Sequence, residues 1–532
     1  MQGGGAQAAQ LVFVVLLLAV IAFAALARKL RTPYPIVLVL AGLALSFVPG
    51  IPKIGLDPQV VFFVILPPLV YSAAWLTSWT SFSHHLVSIV SLAVGLVAFT
   101  VFGVALGAHL FIPGFDWRAG LVLGSVVSTT DAIAATAIAK RTGLPRRIVE
   151  TLEGESLAND ATGLLALEVA VGLAVGGQAP GAGEVLWRIA LLTGGGLGVG
   201  LLLAVVVDWF ERRIDDGPIE IAISILVPYA AYLAAENIGA SGVLAVVAAG
   251  LYLSHRSAHF YSASVRLEAW AVWNSLTFIL NGFVFALIGL SLHEVLAGIK
   301  DYPVGKLIFW GVLLSVMVIA LRMIWTFPGA HFSYFLRRRL LRQKEQTPSA
   351  RELFLVGWTG MRGVIALAAA LALPHFLPEG SPFPRRNVIV FLTFVVILVT
   401  LVVQGLTLAP LIRVLGLAGQ DPNEREEAAA RRIVLDEAVA HLERARAKDS
   451  PENSAIYDDL VSHARERLEP FGDEENPEAK QRARYREAVQ SLLRAERDTA
   501  LRLRDEGKVS DDVLRRLERE LDLTEARLRG RA

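Results

Sequence analysis

The sequence predicts an all-α polytopic membrane protein. About thirteen transmembrane helices occupy residues 1–415, and a charged, soluble helical tail occupies 416–532. Three observations predict this. The chain is 54% hydrophobic over 532 residues, with a mean hydropathy of +0.53, too apolar for an ordinary soluble domain. Its charge is unevenly spread: residues 421–532 hold 28 acidic and 23 basic side chains, whereas the first 420 hold only 21 and 27. Apolar runs also recur at the length of about 20 residues that a helix needs to cross hydrocarbon. A soluble enzyme does not fit this pattern. Neither does a nucleic-acid binder, because the basic residues sit at loop ends and form no stripe. The absence of cysteine excludes disulfide scaffolds, thiolate metal sites and cysteine nucleophiles.

The expected spans are 11–27, 34–49, 58–76, 86–112, 118–139, 148–176, 185–207, 219–236, 239–254, 270–293, 304–327, 352–374 and 387–412. Arg28, Lys29 and Arg31 follow the first run. That is the wrong order for a cleaved signal peptide, so the run reads as a membrane helix. Pro67-Pro68 is expected to break the third span. The eighth and ninth are short and meet at Glu236-Asn237-Ile238-Gly239. Gly194, Gly195, Gly196, Gly198 and Gly200 in the seventh permit close helix packing. With the N-terminus outside, the inner loops hold 17 Lys and Arg and the outer loops 7, as the positive-inside rule requires. An odd number of spans then leaves the tail in the cytoplasm. Within the tail, 424–447 and 478–504 are rich in strong helix formers. Asp449-Ser450-Pro451 and Pro470-Phe471-Gly472 interrupt them. Ser510-Asp511-Asp512-Val513 can cap a last helix bearing Leu514, Leu517, Leu521 and Leu528.

Ionisable groups inside spans are costly, which makes them functional candidates. Ser128-Thr129-Thr130-Asp131 puts a carboxylate beside three hydroxyls in the fifth span. Glu153-Gly154-Glu155-Ser156-Leu157-Ala158-Asn159-Asp160 crosses the middle of the sixth. Ser156 and Asp160 are four apart and share one helical face, and Glu155 and Asn159 share the adjoining one. Carboxylates, hydroxyls and carbonyls are hard oxygen ligands suited to small hard cations. Asp131 and Asp160, with Ser156 and the Thr130 carbonyl, carry a modest charge that suits Na⁺, Li⁺ or K⁺ better than Ca²⁺. A buried carboxylate can hold a proton when the ion leaves, and a group that takes either H⁺ or a cation is the core of an exchanger. Asn159 reads as an orienting donor. Arg362, within Thr359-Gly360-Met361-Arg362-Gly363 of the twelfth span, needs a carboxylate partner, expected at Glu155 with Glu153 as the alternative.

Other charges read as peripheral. Arg322 is placed near the inner end of its span, where it can snorkel. Glu168 lies toward the outer side, near the face of Asp160. Glu236 is expected to be solvated at a helix end, Asp208 and Glu211 to belong to an inner loop, and His84-His85 to lie in another. No phosphate-loop, kinase or metalloprotease pattern occurs, and no cofactor is expected.

The stretch Glu153 to Ala161 resembles the Asn-Asp signature of sodium–proton exchangers of the monovalent cation:proton antiporter-1 family. Ser128 to Ala132 is similar to that family's Thr-Asp segment in an unwound helix, and Thr359 to Gly363 to its Gly-x-Arg-Gly segment. Asn281-Gly282-Phe283-Val284-Phe285 and Gln404-Gly405-Leu406-Thr407 resemble its later spans. The resemblance covers roughly residues 10–415. It implies inverted repeats, two broken crossing helices and a homodimer with a rigid dimer domain and a mobile core domain. It further implies that Asp160, Asp131, Ser156 and the Thr130 carbonyl hold the ion, that Asn159 orients the site and that Glu155 pairs with Arg362. Ala132 departs from the proline common after the family's Thr-Asp aspartate. The expected activity is antiport of a monovalent cation, Na⁺ or Li⁺, against H⁺ by alternating access, electroneutral at one for one, in a plasma membrane and serving pH regulation. K⁺/H⁺ antiport is the alternative within the class. A Na⁺-coupled solute symporter, a cation channel and a scaffold without transport are the alternatives outside it.

Overall fold

The computed structural model describes residues 3–30, 32–48, 56–176, 181–300, 302–340, 348–377, 380–419, 422–450, 453–466, 477–506 and 508–529. Arg31, Lys53, Arg342, Lys344 and the Pro470-Phe471-Gly472 breaker lie outside the described residues. The chain falls into two compact units, Met1–Asp421 and Pro422–Ala532. Among the described residues there is no strand, only an isolated bridge between Phe376 and Pro382.

Helix covers all thirteen expected segments. Among the described residues, nine helices are long and apolar enough to cross a membrane, and Tyr34–Leu45 is a shorter apolar one. The first expected segment lies in the 27-residue helix Gly3–Lys29, and the others outside the nine are short pieces. Gly242–Arg256 is one turn too short, and the twelfth segment divides into Ala350–Trp358 and Val364–Leu371. Pro67-Pro68 does not break its span. The π-helical stretch Val61–Ile65 shifts the register, so the prolines enter the first turn of Leu66–Leu76, where their missing N–H groups cost least. His84 and His85 stand within helix Trp79–Val90 and not in a loop, with their rings 5.2 Å apart. Asp208 and Glu211 lie buried in the last turn of Ala182–Glu211, and Asp208 pairs with Arg212 at 3.0 Å. Of the glycines in that helix, Gly196 and Gly200 meet the backbone of Ser241 and Ala245, a close approach that a Cβ would block.

Two elements frame the site. The acidic helix Arg146–Gly176 packs against Trp117–Ser128 and Trp79–Val90. Helix Val304–Leu340 packs against Ala350–Trp358 and Arg386–Val399. Val304–Leu340 continues through Pro328, well past the expected end at 327. Arg322 therefore sits midway along it, too far from either end to snorkel.

In the second unit, Pro422–Arg446 packs against Ser454–Glu466, and Pro477–Asp505 against Asp511–Arg529. Ser510 accepts a hydrogen bond from the Val513 N–H at 3.4 Å, and Leu514 is buried in the second pair.

Candidate functional site

Two helices unwind where they meet. The first gives way after Ser128 and resumes at Ala132. The second stops at Trp358 and resumes at Val364. The breaks touch through the backbone, the Asp131 N–H donating to the Met361 carbonyl at 2.8 Å. Asp131 caps the resumed half-helix, accepting from the Ile133 N–H at 2.8 Å. This satisfies one of the four donors that any helix start leaves orphaned. Gly363 caps the other half-helix with an ordinary extended φ of −130°. Glycine is needed there for space, because a Cβ would run into the Asp131 carboxyl group.

The acidic helix closes the first break from the side. The Ser156 hydroxyl donates to the Thr130 carbonyl at 3.1 Å and accepts from the Ala132 N–H at 3.3 Å, so one side chain spans the unwound residues. The Asn159 amide donates to the Thr130 hydroxyl at 2.8 Å, and that hydroxyl donates to Glu155 at 3.0 Å. Asn159 is thus bonded to Thr130 without lining the cavity itself.

The arginine pairing differs from expectation. Glu155 pairs with Arg322, with bonds to both guanidinium NH groups, and each partner is only 1% exposed. Arg362 pairs with neither Glu155 nor Glu153. Its Nε donates to the Val127 carbonyl at 3.0 Å and its NH1 to the Gly360 carbonyl. Arg322 likewise donates to the Val356 carbonyl from Nε at 3.2 Å and from NH2 at 3.1 Å. Val127 and Val356 lie in the last turns of the two half-helices that stop at the breaks. Each arginine therefore satisfies orphaned carbonyls at the negative end of a helix dipole. The Arg362 N–H donates to the Thr400 hydroxyl at 3.2 Å, inside the π-helical stretch Thr400–Gln404. A sequence signal for Arg322 did exist, a guanidinium deep within an apolar run, but an early helix end hid it.

Asp131, Asp160, Ser156 and Thr130 line one cavity of about 330 Å³, joined by Glu153 and Asn281. Asp160 is buried and takes no hydrogen bond or ion pair from any described residue, and no described Lys or Arg pairs with Asp131. Tyr34, Ser72, Thr277 and Asn281 also line it with polar groups, a contribution that the charged motifs did not announce. Among the described residues, no three His, Asp or Glu side chains converge as metal ligands. Asp131, Asp160, the Ser156 hydroxyl and the Thr130 carbonyl form a donor set for a cation of low charge, and Glu153 adds a third carboxylate to the lining. Glu168, expected near the face of Asp160, lies outside this lining and pairs with Arg188 on an exposed surface. Glu236 is solvated at a helix end, as expected.

Known proteins match this architecture. The family model for the transmembrane region of sodium/hydrogen exchangers matches residues 14–414. A Mycobacterium tuberculosis protein named as an uncharacterised Na⁺/H⁺ exchanger is 31% identical over 97% of this chain and 96% of its own. An Escherichia coli protein of similar name is 31% identical over 93% of this chain and 95% of its own. A sodium, potassium, lithium and rubidium/H⁺ antiporter of Bacillus subtilis is 33% identical over 71% of this chain and 57% of its own. The sodium proton antiporter MjNhaP1 of Methanocaldococcus jannaschii superposes with a TM-score of 0.60 at 20% identity, covering 77% of this chain and all of its own, a likeness of fold. This chain is a multi-pass membrane protein belonging to the sodium/hydrogen exchanger family, whose members are transporters and not enzymes.

Proposed function

We propose that the chain exchanges Na⁺ for H⁺ by alternating access, and that Asp160 is the group that carries either. One observation carries this reading. Asp160 and Asp131 face a common cavity with no cationic partner among the described residues, while Arg322 and Arg362 are committed elsewhere. An uncompensated carboxylate in a buried site costs several kcal/mol. A proton or a small cation relieves that cost, and one displaces the other. Asp131, the Ser156 hydroxyl and the Thr130 carbonyl complete the cation's oxygen shell, while Asn159 and the Glu155–Arg322 pair hold Thr130 in place. Broken helices meeting at a buried ion site are the arrangement by which transporters expose one site to each side in turn. With Asn159 neutral, one H⁺ replaces one Na⁺ and no net charge moves.

Dye-monitored proton flux in proteoliposomes tests the reading, with Na⁺, Li⁺, K⁺ and Ca²⁺ added in turn. Asp160→Asn should abolish Na⁺-driven flux, and wild-type turnover should not respond to membrane voltage. Wild-type rates in Asp160→Asn would refute the role of Asp160, and a voltage response would refute the one-for-one stoichiometry. The cation breadth in the name of the Bacillus subtilis relative supports K⁺ as the runner-up substrate. The distribution of basic residues supports a plasma-membrane protein with its N-terminus outside and the Pro422–Ala532 unit in the cytoplasm. Family membership supports a homodimer in membrane lipid, serving cellular pH regulation.

A further inference from the structure

The ion cavity abuts a second cavity, of about 160 Å³. Tyr34, Ser72, Leu76, Thr277 and Asn281 line both, so these residues form a neck between the two. Tyr34 begins its helix and Leu76 ends another, which places the second cavity at one end of the bundle. Its rim residues Leu76, Trp270 and Asn274 are exposed, and Trp75, Trp273 and Phe278 add aromatic walls. No Asp, Glu, Lys, Arg or His lines it. A cation that reaches the carboxylates this way meets neutral groups first.

The neck holds oxygen atoms that the rest of the fold does not use. Thr277 and Asn281 are four apart, on one face of helix Ala263–Leu290. Thr277 is half-buried, and its hydroxyl bonds no described residue. Asn281 is only 3% exposed. Its amide is hydrogen-bonded to Tyr34, yet its oxygen takes no hydrogen bond from any described residue. A bare buried carbonyl is costly, and a cation in the neck relieves that cost. Two other polar groups of these walls are committed. The Ser72 hydroxyl donates to the Leu69 carbonyl at 2.9 Å, and the Trp273 Nε1 donates to the Ser224 hydroxyl at 3.1 Å. The frame around the neck is tight as well. A Cβ at Gly42 would run into the Ala286 carbonyl and one at Gly289 into the Val39 carbonyl, so Tyr34–Leu45 and Ala263–Leu290 touch backbone to backbone.

We propose that Thr277 and Asn281 are specificity-determining residues: their neutral oxygens replace water around an alkali cation in the neck and so set which cation reaches the carboxylates. This rests on the reading of Asp160 as the exchanging group. Li⁺ and Na⁺ hold oxygens closer than K⁺ does, so each contact with an oxygen dipole is worth more to them.

Proton flux in proteoliposomes of the full-length protein, measured against the concentration of Li⁺, Na⁺ and K⁺ in turn, tests this. Thr277→Val and Asn281→Leu each remove an oxygen and nearly keep the shape. Each should raise the Na⁺ concentration for half-maximal flux by about tenfold, the worth of one contact to a charged group. The rise should be largest for Li⁺ and smallest for K⁺, and it should exceed the loss in maximal rate. Thr277 is half-buried, so Thr277→Val carries the test if Asn281→Leu fails to fold. Asp160→Asn serves as the control. If it transports like the wild type, the reading of Asp160 and this inference fall together. If it is inactive while the half-maximal concentrations of Thr277→Val match the wild type, the inference about the neck falls alone. An equal rise for all three cations would mark a general distortion of the site and would overturn it too.

Discussion

Glu155 and Arg322 tolerate burial because each compensates the other. Taking either away strands a charge in the interior. Glu155→Gln or Arg322→Met alone should therefore cost about 3–5 kcal/mol. The double variant should lose clearly less than the sum, because no bare charge remains. Chemical denaturation in detergent, run as a double-mutant cycle, measures this, and simple additivity would show that the pair is not coupled. Arg322→Lys should not restore the wild type, since an ammonium cannot reproduce the forked contact with both carboxylate oxygens and the Val356 carbonyl. At Gly363 the constraint is room. A methyl group there meets the Asp131 carboxyl group, so Gly363→Ala should cost about 1–3 kcal/mol by overpacking and should also depress Na⁺-driven flux. A variant that is destabilised yet transports normally would show that the contact between the breaks is structural only.

Among elements, the unwound segments are the informative ones. Each break exposes helix-end groups that must be satisfied, and the chain supplies side chains for them: Asp131 at a start, Arg362 and Arg322 at the ends, Ser156 between. Ser156→Ala removes both bonds that tie the acidic helix to residues 130 and 132. It should raise the Na⁺ concentration needed for half-maximal flux more than it lowers the maximal rate, because the carboxylates remain. Concentration-dependent flux in vesicles separates the two effects. A different element invites a pH test. After helix Pro422–Arg446, Asp449 accepts from the Ser450 N–H, the Tyr457 hydroxyl and the Asn453 amide, which hold its carboxyl below the usual value of 3.8. A lowered folded-state value means that the contribution is present above about pH 3.8 and is lost as pH falls through the lower value. Titration of the Asp449 carboxyl by NMR should show a midpoint below that of the same group in Tyr457→Phe.

For the whole molecule, the division at Asp421 and Pro422 separates an apolar unit from a charged one. Within the second unit, Arg497 bonds Asp522 at 2.6 Å and Glu525 at 3.1 Å between two helices, and Leu493, Ala500 and Leu514 are buried. Expressed alone, residues 422–532 should show strong helical circular dichroism and a cooperative melt. A disordered spectrum would mean that this unit owes its helices to the rest of the chain.

Composition and periodicity suffice to read the helices of both units, because apolar length and helix propensity are local properties. The breaks at Asp131 and near Arg362 are legible too, since polar residues and glycines within apolar runs have few other uses. The stripe of Ser156 and Asp160 follows from helical spacing alone, and the structure sets both on one cavity with Asp131 and Thr130. Tertiary structure decides what spacing cannot: which arginine meets Glu155. Arg362 had the nearer motif, but its guanidinium is taken by carbonyls that become orphaned only when the other helix unwinds beside it. Arg322 reaches Glu155 because Val304–Leu340 continues past Pro328, which leaves Arg322 at its buried midpoint, where its long side chain spans to the acidic helix. Charge pairing in a dry interior is settled by which groups face each other once the helices are packed, and no local pattern encodes that distance.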